Sequence, residues 1–348
     1  FAPAAKASGN EEYDAALAEK DAEYLFDLCD SAKEKLKAKV PEALFSGTAS
    51  FGKGYSSIVT SEGQSVSERY AQNSLSISAE LNAEGDFLAT YAGLSKPRVL
   101  TEADIDEVVE RAASDFLAAR KSAEVKEGSY RVLLSPDALS DALTPVTVCA
   151  NGLNIEKKIS RWVDSLGEKV FGDNISIWDD PQTKDGPSTS LYDGEGVPTQ
   201  RRPIIEKGVL KSFAHSRLTA ARCKTDATGN GVRSFASTAT PGFHNVVMEG
   251  GDVALADLMS EANGGLMIRH LIGVFTSNFL AGQVSGNIMT GFKVEGGELA
   301  GRVKNAAINF NLFDVFNGKV LGISKEREWS GDMYLPYILI DAVALSAK

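Results

Sequence analysis

The sequence predicts an α+β protein: an N-terminal domain of helices and antiparallel sheet, then a larger β-rich domain with short helices. Three observations predict it. Through residues 11–39, Leu25, Leu28, Cys29, Ala32 and Leu36 recur at three- and four-residue steps, the apolar stripe of an amphipathic helix. The period then becomes two: Leu75, Ile77, Ala79 and Leu81 alternate with Ser76, Ser78 and Glu80, as in a half-buried strand. Beyond about residue 128 come short apolar runs punctuated by Gly, Asp and Asn, and the 32 glycines cluster in this half, which suits a turn-rich β architecture.

The elements follow in order. Residues 1–10 read as a mobile terminus, 11–128 as the N-terminal domain and 129–348 as the β-rich domain. Pro41 ends the first helix, because proline supplies no N–H. Residues 56–67 form a hairpin turning at Glu62-Gly63, and Asn82–Asp86 connects a second one. Thr101 caps a helix to about Lys121, with Glu102 and Asp104 in its first turn. Arg131–Leu134 is a short buried strand, and Ser135-Pro136-Asp137 starts a helix. A hairpin joins Pro203–Ile205 to Val209–Phe213 across Glu206-Lys207-Gly208. Short helices are expected near 216–223, 252–263 and 310–316, with strands at Val320–Ile323 and Tyr334–Ala344. The glycines of 276–303 mark bent or bulged strands.

Composition excludes some classes. The net charge of −11 opposes a nucleic-acid surface, since phosphate binding rests on Lys and Arg. No run is long and apolar enough to span a membrane. The cysteines Cys29, Cys149 and Cys223 imply no disulfide framework, and a reducing cytoplasm suits them. The chain begins at Phe1 without an initiator Met, so a trimmed or partial chain is expected.

The stretch from Ser188 to Asn230 concentrates the polar candidates. Asp193 and Glu195 alternate with Gly194 and Gly196. They read either as a carboxylate pair facing a cleft or as a turn whose carboxylates accept backbone N–H groups or pair with Arg201 and Arg202. The turn is preferred. Arg201 and Arg202 could also hold a peptide carboxylate. Thr228-Gly229-Asn230-Gly231 could form a backbone nest for an anion, but lacks the lysine of a P-loop. Residues 234–242 read as a loop over a cleft, followed by His244, a hydrogen-bonded structural histidine or a base. Asp179-Asp180-Pro181 reads as a turn. Cys149 and Cys223 would be nucleophiles only with a histidine nearby. Leu312–Phe316 suits a core or a subunit interface.

Trp162-Val163-Asp164-Ser165-Leu166-Gly167 and the 188–230 block resemble the TldD/TldE peptidase family, whose TldE branch is also called PmbA and carries the old label "modulator of DNA gyrase". The resemblance covers nearly the whole chain, is strongest from about residue 160, and does not extend to 233–245. Family members carry a further N-terminal segment. The resemblance implies a PmbA/TldD-like fold and metallopeptidase chemistry in the TldD branch. There an HExxxH helix and a later Cys hold zinc, and the Glu acts on the bound water.

Here Thr144, Pro145 and Cys149 fall at the His, Glu and His positions, Pro145 should kink the helix, and no Cys occurs near Trp329–Asp332. His215, His244 and His270 are too far apart in sequence to form a local ligand set. The resemblance therefore implies no catalytic or metal-ligating residue in this chain. It implies a non-catalytic subunit that pairs with an HExxxH-bearing, zinc-holding TldD-like partner in peptide proteolysis and shapes the peptide cleft. Asp193, Glu195, Arg201, Arg202, Thr228, Asn230 and His244 are the cleft candidates. The alternatives are a homodimeric protein binding a peptide or small ligand, and an independent hydrolase using Asp193, Glu195 or a Cys.

Overall fold

The computed structural model describes residues 13–61, 63–83, 86–234 and 236–347. It is a mixed helix and sheet structure, with a small N-terminal antiparallel sheet followed by a larger β-rich unit that contains a barrel.

The N-terminal region expected to be one helix is two. Helix α1 (Ala15–Ala18) is capped by Asp14, and α2 (Ala22–Lys39) by Asp21. The Asp21 carboxylate accepts the N–H groups of Glu23 and Tyr24, which holds its own backbone extended and breaks the helix there. The apolar stripe is as read: Leu28, Ala32 and Leu36 are buried. Residues 1–12 and the turn residues Glu62, Glu84 and Gly85 lie outside the described residues.

Three strands follow: β1 (Leu44–Val59), β2 (Ser65–Ala83) and β3 (Asp86–Lys96), in sheet order β1-β2-β3. The β1–β2 pairing runs from Leu44↔Glu80 to Val59↔Ser65, far longer than the short hairpin read from sequence. Leu75, Ile77 and Ala79 bury one face against α2 and α3 (Glu102–Ala119). The distal end of the hairpin extends beyond those helices; Tyr55 and Val59 there are exposed, whereas Gln64 and Val66 are buried.

Helix α3 starts with the expected cap, a reciprocal Thr101–Asp104 box. Lys96 at 2.5 Å and Arg98 at 2.7 Å also bind the Asp104 carboxylate.

In the second unit five strands close a ring. Gly128–Leu134 pairs in parallel with Leu266–Ile272, and that strand pairs antiparallel with Gln283–Glu295. Gln283–Glu295 pairs with Ala306–Asn311, which pairs with Met333–Ala347, which returns to Gly128–Leu134. Bulges interrupt the register at Ile268/His270 and Lys293/Val294, within the glycine-rich region and its partner strand.

The ring strands are buried on both faces. Val132 and Leu134 enter one core with Ile338 and Ile340, whereas Leu133 and Leu339 enter the other, which is shared with α2, α3 and the small sheet. This explains their continuous apolar runs. Leu312–Phe316 is core rather than interface: Phe313 and Phe316 pack with Trp162 and Phe171.

A wing continues from the barrel. Val246–Met248 lies parallel to the start of Met333–Ala347, Ile177–Asp179 pairs with Val246–Met248, and Arg202–Glu206 with Ile177–Asp179. The expected strand Val209–Phe213 is only Val209–Leu210, joined across Lys207-Gly208. Both turn residues have positive φ, and a Cβ at Gly208 would stand 2.2 Å from the Phe171 carbonyl oxygen, so glycine is required there.

Burial would raise the pKa of Asp104, but Arg98, Lys96 and Thr101 hold its carboxyl well below the usual carboxylate range. A depressed folded-state pKa stabilises above the unfolded value, about 3.9, and that stability is lost as pH falls through the folded value. Asp104→Asn is expected to cost about 2 kcal/mol at pH 7, with the difference from wild type shrinking below about pH 4, read by urea unfolding across pH.

Candidate functional site

An open cavity of about 740 Å³ lies between the hairpin end and the wing. Ser56–Val59 of β1 and Val66–Glu68 of β2 form one wall, and Ser190, Tyr192–Gly194, residues 231–234 and His244 the other. The hairpin is fastened to the wing at two points. The Glu68 carboxylate accepts from Ser190 Oγ at 2.6 Å and Leu191 N at 3.0 Å, and the Gln64 amide donates to the Gly196 carbonyl.

The Asp193 turn is the preferred reading in most respects. Asp193 Oδ1 accepts the N–H groups of Glu195 and Val197, both at 2.9 Å, and Oδ2 that of Gly231 at 2.7 Å. Glu195 accepts from Arg217 N at 2.7 Å, at the first turn of helix Arg217–Cys223. Asp193 and Glu195 are therefore anchors between backbone segments. A Cβ at Gly194 would meet the Gly231 oxygen at 2.8 Å, so the absence of a side chain sets this close approach.

The arginines depart from expectation. Neither Arg201 nor Arg202 pairs with Asp193 or Glu195. Arg201 binds Asp180 at 3.2 Å and lies 3.8 Å over the Trp178 ring. Arg202 donates to the Thr228 carbonyl; burial lowers its pKa while the charges of Asp179 and Asp226 oppose that. Each is taken up by a partner other than the Asp193 turn.

The Thr228–Gly231 segment is not an open nest. Its Gly231 N–H is bound by Asp193 and its Thr228 N–H by the His215 carbonyl. Thr228 Oγ1 donates to Asn230 Oδ1 at 2.7 Å, and Asn230 Nδ2 donates to Asp179 Oδ2 at 2.6 Å. The loop expected at 234–242 follows the first strand of a hairpin, Gly231–Val232 paired with Thr240–Pro241, and Ser234 lines the cavity; Phe235 lies outside the described residues.

Asp179 is what sequence reasoning missed. It closes strand Ile177–Asp179, is buried, and accepts from His244 N at 2.8 Å and from Asn230, with His244 Nδ1 at 3.3 Å. The turn before Pro181 belongs to Asp180, whose carboxylate accepts Gln182 N. The only available signal was that Asp179 ends an apolar run, a strand terminus where a buried acceptor can be used.

Thr144, Pro145 and Cys149 sit on helix Thr144–Ala150. Pro145 does not kink it: the chain breaks at Leu143 and Pro145 lies in the first turn, where its missing N–H costs nothing. Cys149 is in the core, and burial pushes its thiol pKa up. Cys223 is half-buried, and burial and the Glu156 charge raise its pKa. Neither cysteine has a histidine partner among the described residues. No helix of the described residues is long and apolar enough to cross a membrane.

The sequence profile of the PmbA/TldA metallopeptidase C-terminal domain matches residues 127–347, and the chain belongs to the PmbA/TldD family. It is similar to Metalloprotease MJ0996 of Methanocaldococcus jannaschii, 26% identical over 60% of this chain and 46% of that protein. To Metalloprotease PmbA of Escherichia coli O157:H7 it is 25% identical over 62% of this chain and 48% of that protein. It thus spans about half the length of these relatives. The crystal structure of TldE from Thermococcus kodakarensis superposes with a TM-score of 0.89, covering 100% of this chain and 79% of that one at 22% identity; this likeness concerns the fold.

Asp179→Ala would leave the His244 N–H without its buried acceptor and remove one of the two acceptors of the Asn230 amide. It is expected to cost about 2–4 kcal/mol, read as a lower urea midpoint with an unchanged m-value.

Proposed function

We propose that this chain is the non-catalytic, peptide-holding subunit of a TldD/TldE-type metallopeptidase. The observation that carries the reading is the free edge of β1 at the cleft. Among the described residues β1 pairs only with β2, so one row of its backbone groups has no strand partner, and Ser56–Val59 of this strand line the cavity. An extended peptide adds to such an edge through main-chain hydrogen bonds, which suit many sequences. A long exposed edge is otherwise an aggregation hazard, which an occupant or partner at this end would relieve.

The family's zinc does not fit the residues present here. Thr144 Oγ1 donates to the Asp141 carbonyl, Pro145 offers neither ligand nor base, and the Cys149 thiol is held protonated by burial. In this reading an HExxxH-bearing partner holds the zinc and supplies the activated water. This chain contributes the β1 edge, the hairpin end fastened by Glu68, and the wall built on Asp193 and His244. Asp193 and Glu195 spend their oxygens on backbone N–H groups, which supports a scaffolding role over catalysis.

The test is cleavage of an unstructured peptide by this chain, by an HExxxH homologue, and by the two mixed. Cleavage is expected only in the mixture, abolished by a chelator. Chelator-sensitive cleavage by the pure chain would overturn the reading.

A further inference from the structure

We infer that the cleft reads its peptide at alternate residues, and that a read position takes an apolar side chain beside Ile58 of the hairpin and opposite Val232 of the wing. The inference rests on the reading of the cavity as a peptide cleft that extends the β1 edge. It adds which peptide side chains matter.

In a paired hairpin, residues opposite each other share a face, and neighbours along a strand alternate. The pairs Ile58↔Val66 and Ser56↔Glu68 therefore lie on one face of the hairpin end, and Ser57↔Ser67 and Val59↔Ser65 on the other. The first face meets the wing: Glu68 is bound there by Ser190 and Leu191, and Val66 is 4% exposed. The second face is the more open, with Val59 at 73%. All of Ser56–Val59 borders the cavity, which thus runs along the strand.

A strand added at the β1 edge continues the sheet, so its side chains follow the same alternation. Peptide residues level with Ser56 and Ile58 put their side chains on the wing side. The residue between them, level with Ser57, puts its own on the open side. Parallel and antiparallel peptides obey this rule alike.

The wing side offers apolar surface. Ile58 is half-buried and lines the cavity with Val66, Tyr192 and Val232. Val232 remains 48% exposed. A Cβ at Gly242 would stand 2.6 Å from Val232 Cγ2, so the bare backbone there leaves room for this valine. Apolar side chains left exposed on a cavity wall suit an apolar group on the ligand. The carboxylates of the lining, Glu68 and Asp193, are held by hydroxyl and backbone N–H donors, which orient them without cancelling their charge. Arg233 is exposed, and water screens it. An acidic side chain at a read position meets like charge, whereas an apolar one gains by burial.

The probe is an unstructured, fluorescently labelled peptide of serine and threonine with one leucine, which fixes its register. Binding to the full chain is followed by anisotropy. Replacing the leucine by asparagine is expected to weaken binding about ten-fold. Aspartate two residues from the leucine should weaken it about five-fold, and aspartate one residue away by less than about two-fold.

Val232→Ser, a change at a half-exposed residue, should shrink the leucine–asparagine gap to about three-fold or less and keep the aspartate pattern, whereas general damage would weaken every peptide alike. Equal binding of the leucine and asparagine peptides overturns the proposal and leaves the peptide cleft standing. So does an aspartate penalty that is the same at one residue and at two. An undiminished leucine preference in both Val232→Ser and Ile58→Thr also overturns it, because the apolar contact then lies elsewhere. Failure of every peptide to bind overturns the cleft reading and this proposal with it.

Discussion

The burial of the Met333–Ala347 strand on both faces is the constraint on which the rest depends. Leu335, Ile338 and Ile340 face one core, and Tyr337 and Leu339 the other. The strand also joins the ring to the wing, since Val246 and Val247 pair with its first two residues. A one-residue slip there would exchange the two apolar faces, so the register is strongly fixed. The positions of Val246–Met248, then Ile177–Asp179, then Arg202–Glu206 follow from it, and with them the depth at which Asp179 meets His244.

On that frame, carboxylates serve as joints. Asp193 fastens its own turn to Gly231, Glu195 fastens it to the Arg217 helix, Glu68 fastens the hairpin, and Asp179 gathers His244 and Asn230. Each replaces water with backbone or amide N–H donors, which offsets the desolvation of a buried charge. The side chains that look most like an acid/base pair in the sequence are thereby committed to holding loops. The cavity beside them is lined by two strands of the hairpin, by the Asp193 turn and by His244.

A second charged seam joins the two units. Arg269 is bound to Asp115 of α3 at 3.2 Å and to the Tyr337 hydroxyl at 3.0 Å, while Glu328 accepts from Tyr337 and pairs with Arg111 of α3. Burial raises the Asp115 pKa and the Arg269 charge opposes it. Such a buried network fixes orientation more than it adds stability. Here it sets α3, and so the sheet packed on it, against the barrel that carries the other cleft wall.

Much of this architecture was legible in the chain. The stripe of α2, the Thr101 cap, the Ser135 helix start and the two-residue alternation of β2 are local patterns, written in neighbouring residues by helix and strand periodicity. The family was legible too, because the Trp162–Gly167 and 188–230 segments carry the residues that resemble it. The break at Asp21, the length of the β1–β2 hairpin, the hairpin hidden in 231–241 and the partners of Arg201 and Arg202 were not. Each depends on a group far away in sequence or on a choice between equally good local partners. The joining of Asp179 to His244 and Asn230 is the clearest case: 65 and 51 residues separate them, and only strand pairing across the wing brings them together. Local propensity and turn chemistry act over a few residues and so are readable in the sequence, whereas the cleft is set by register between distant strands, which only the packed core decides.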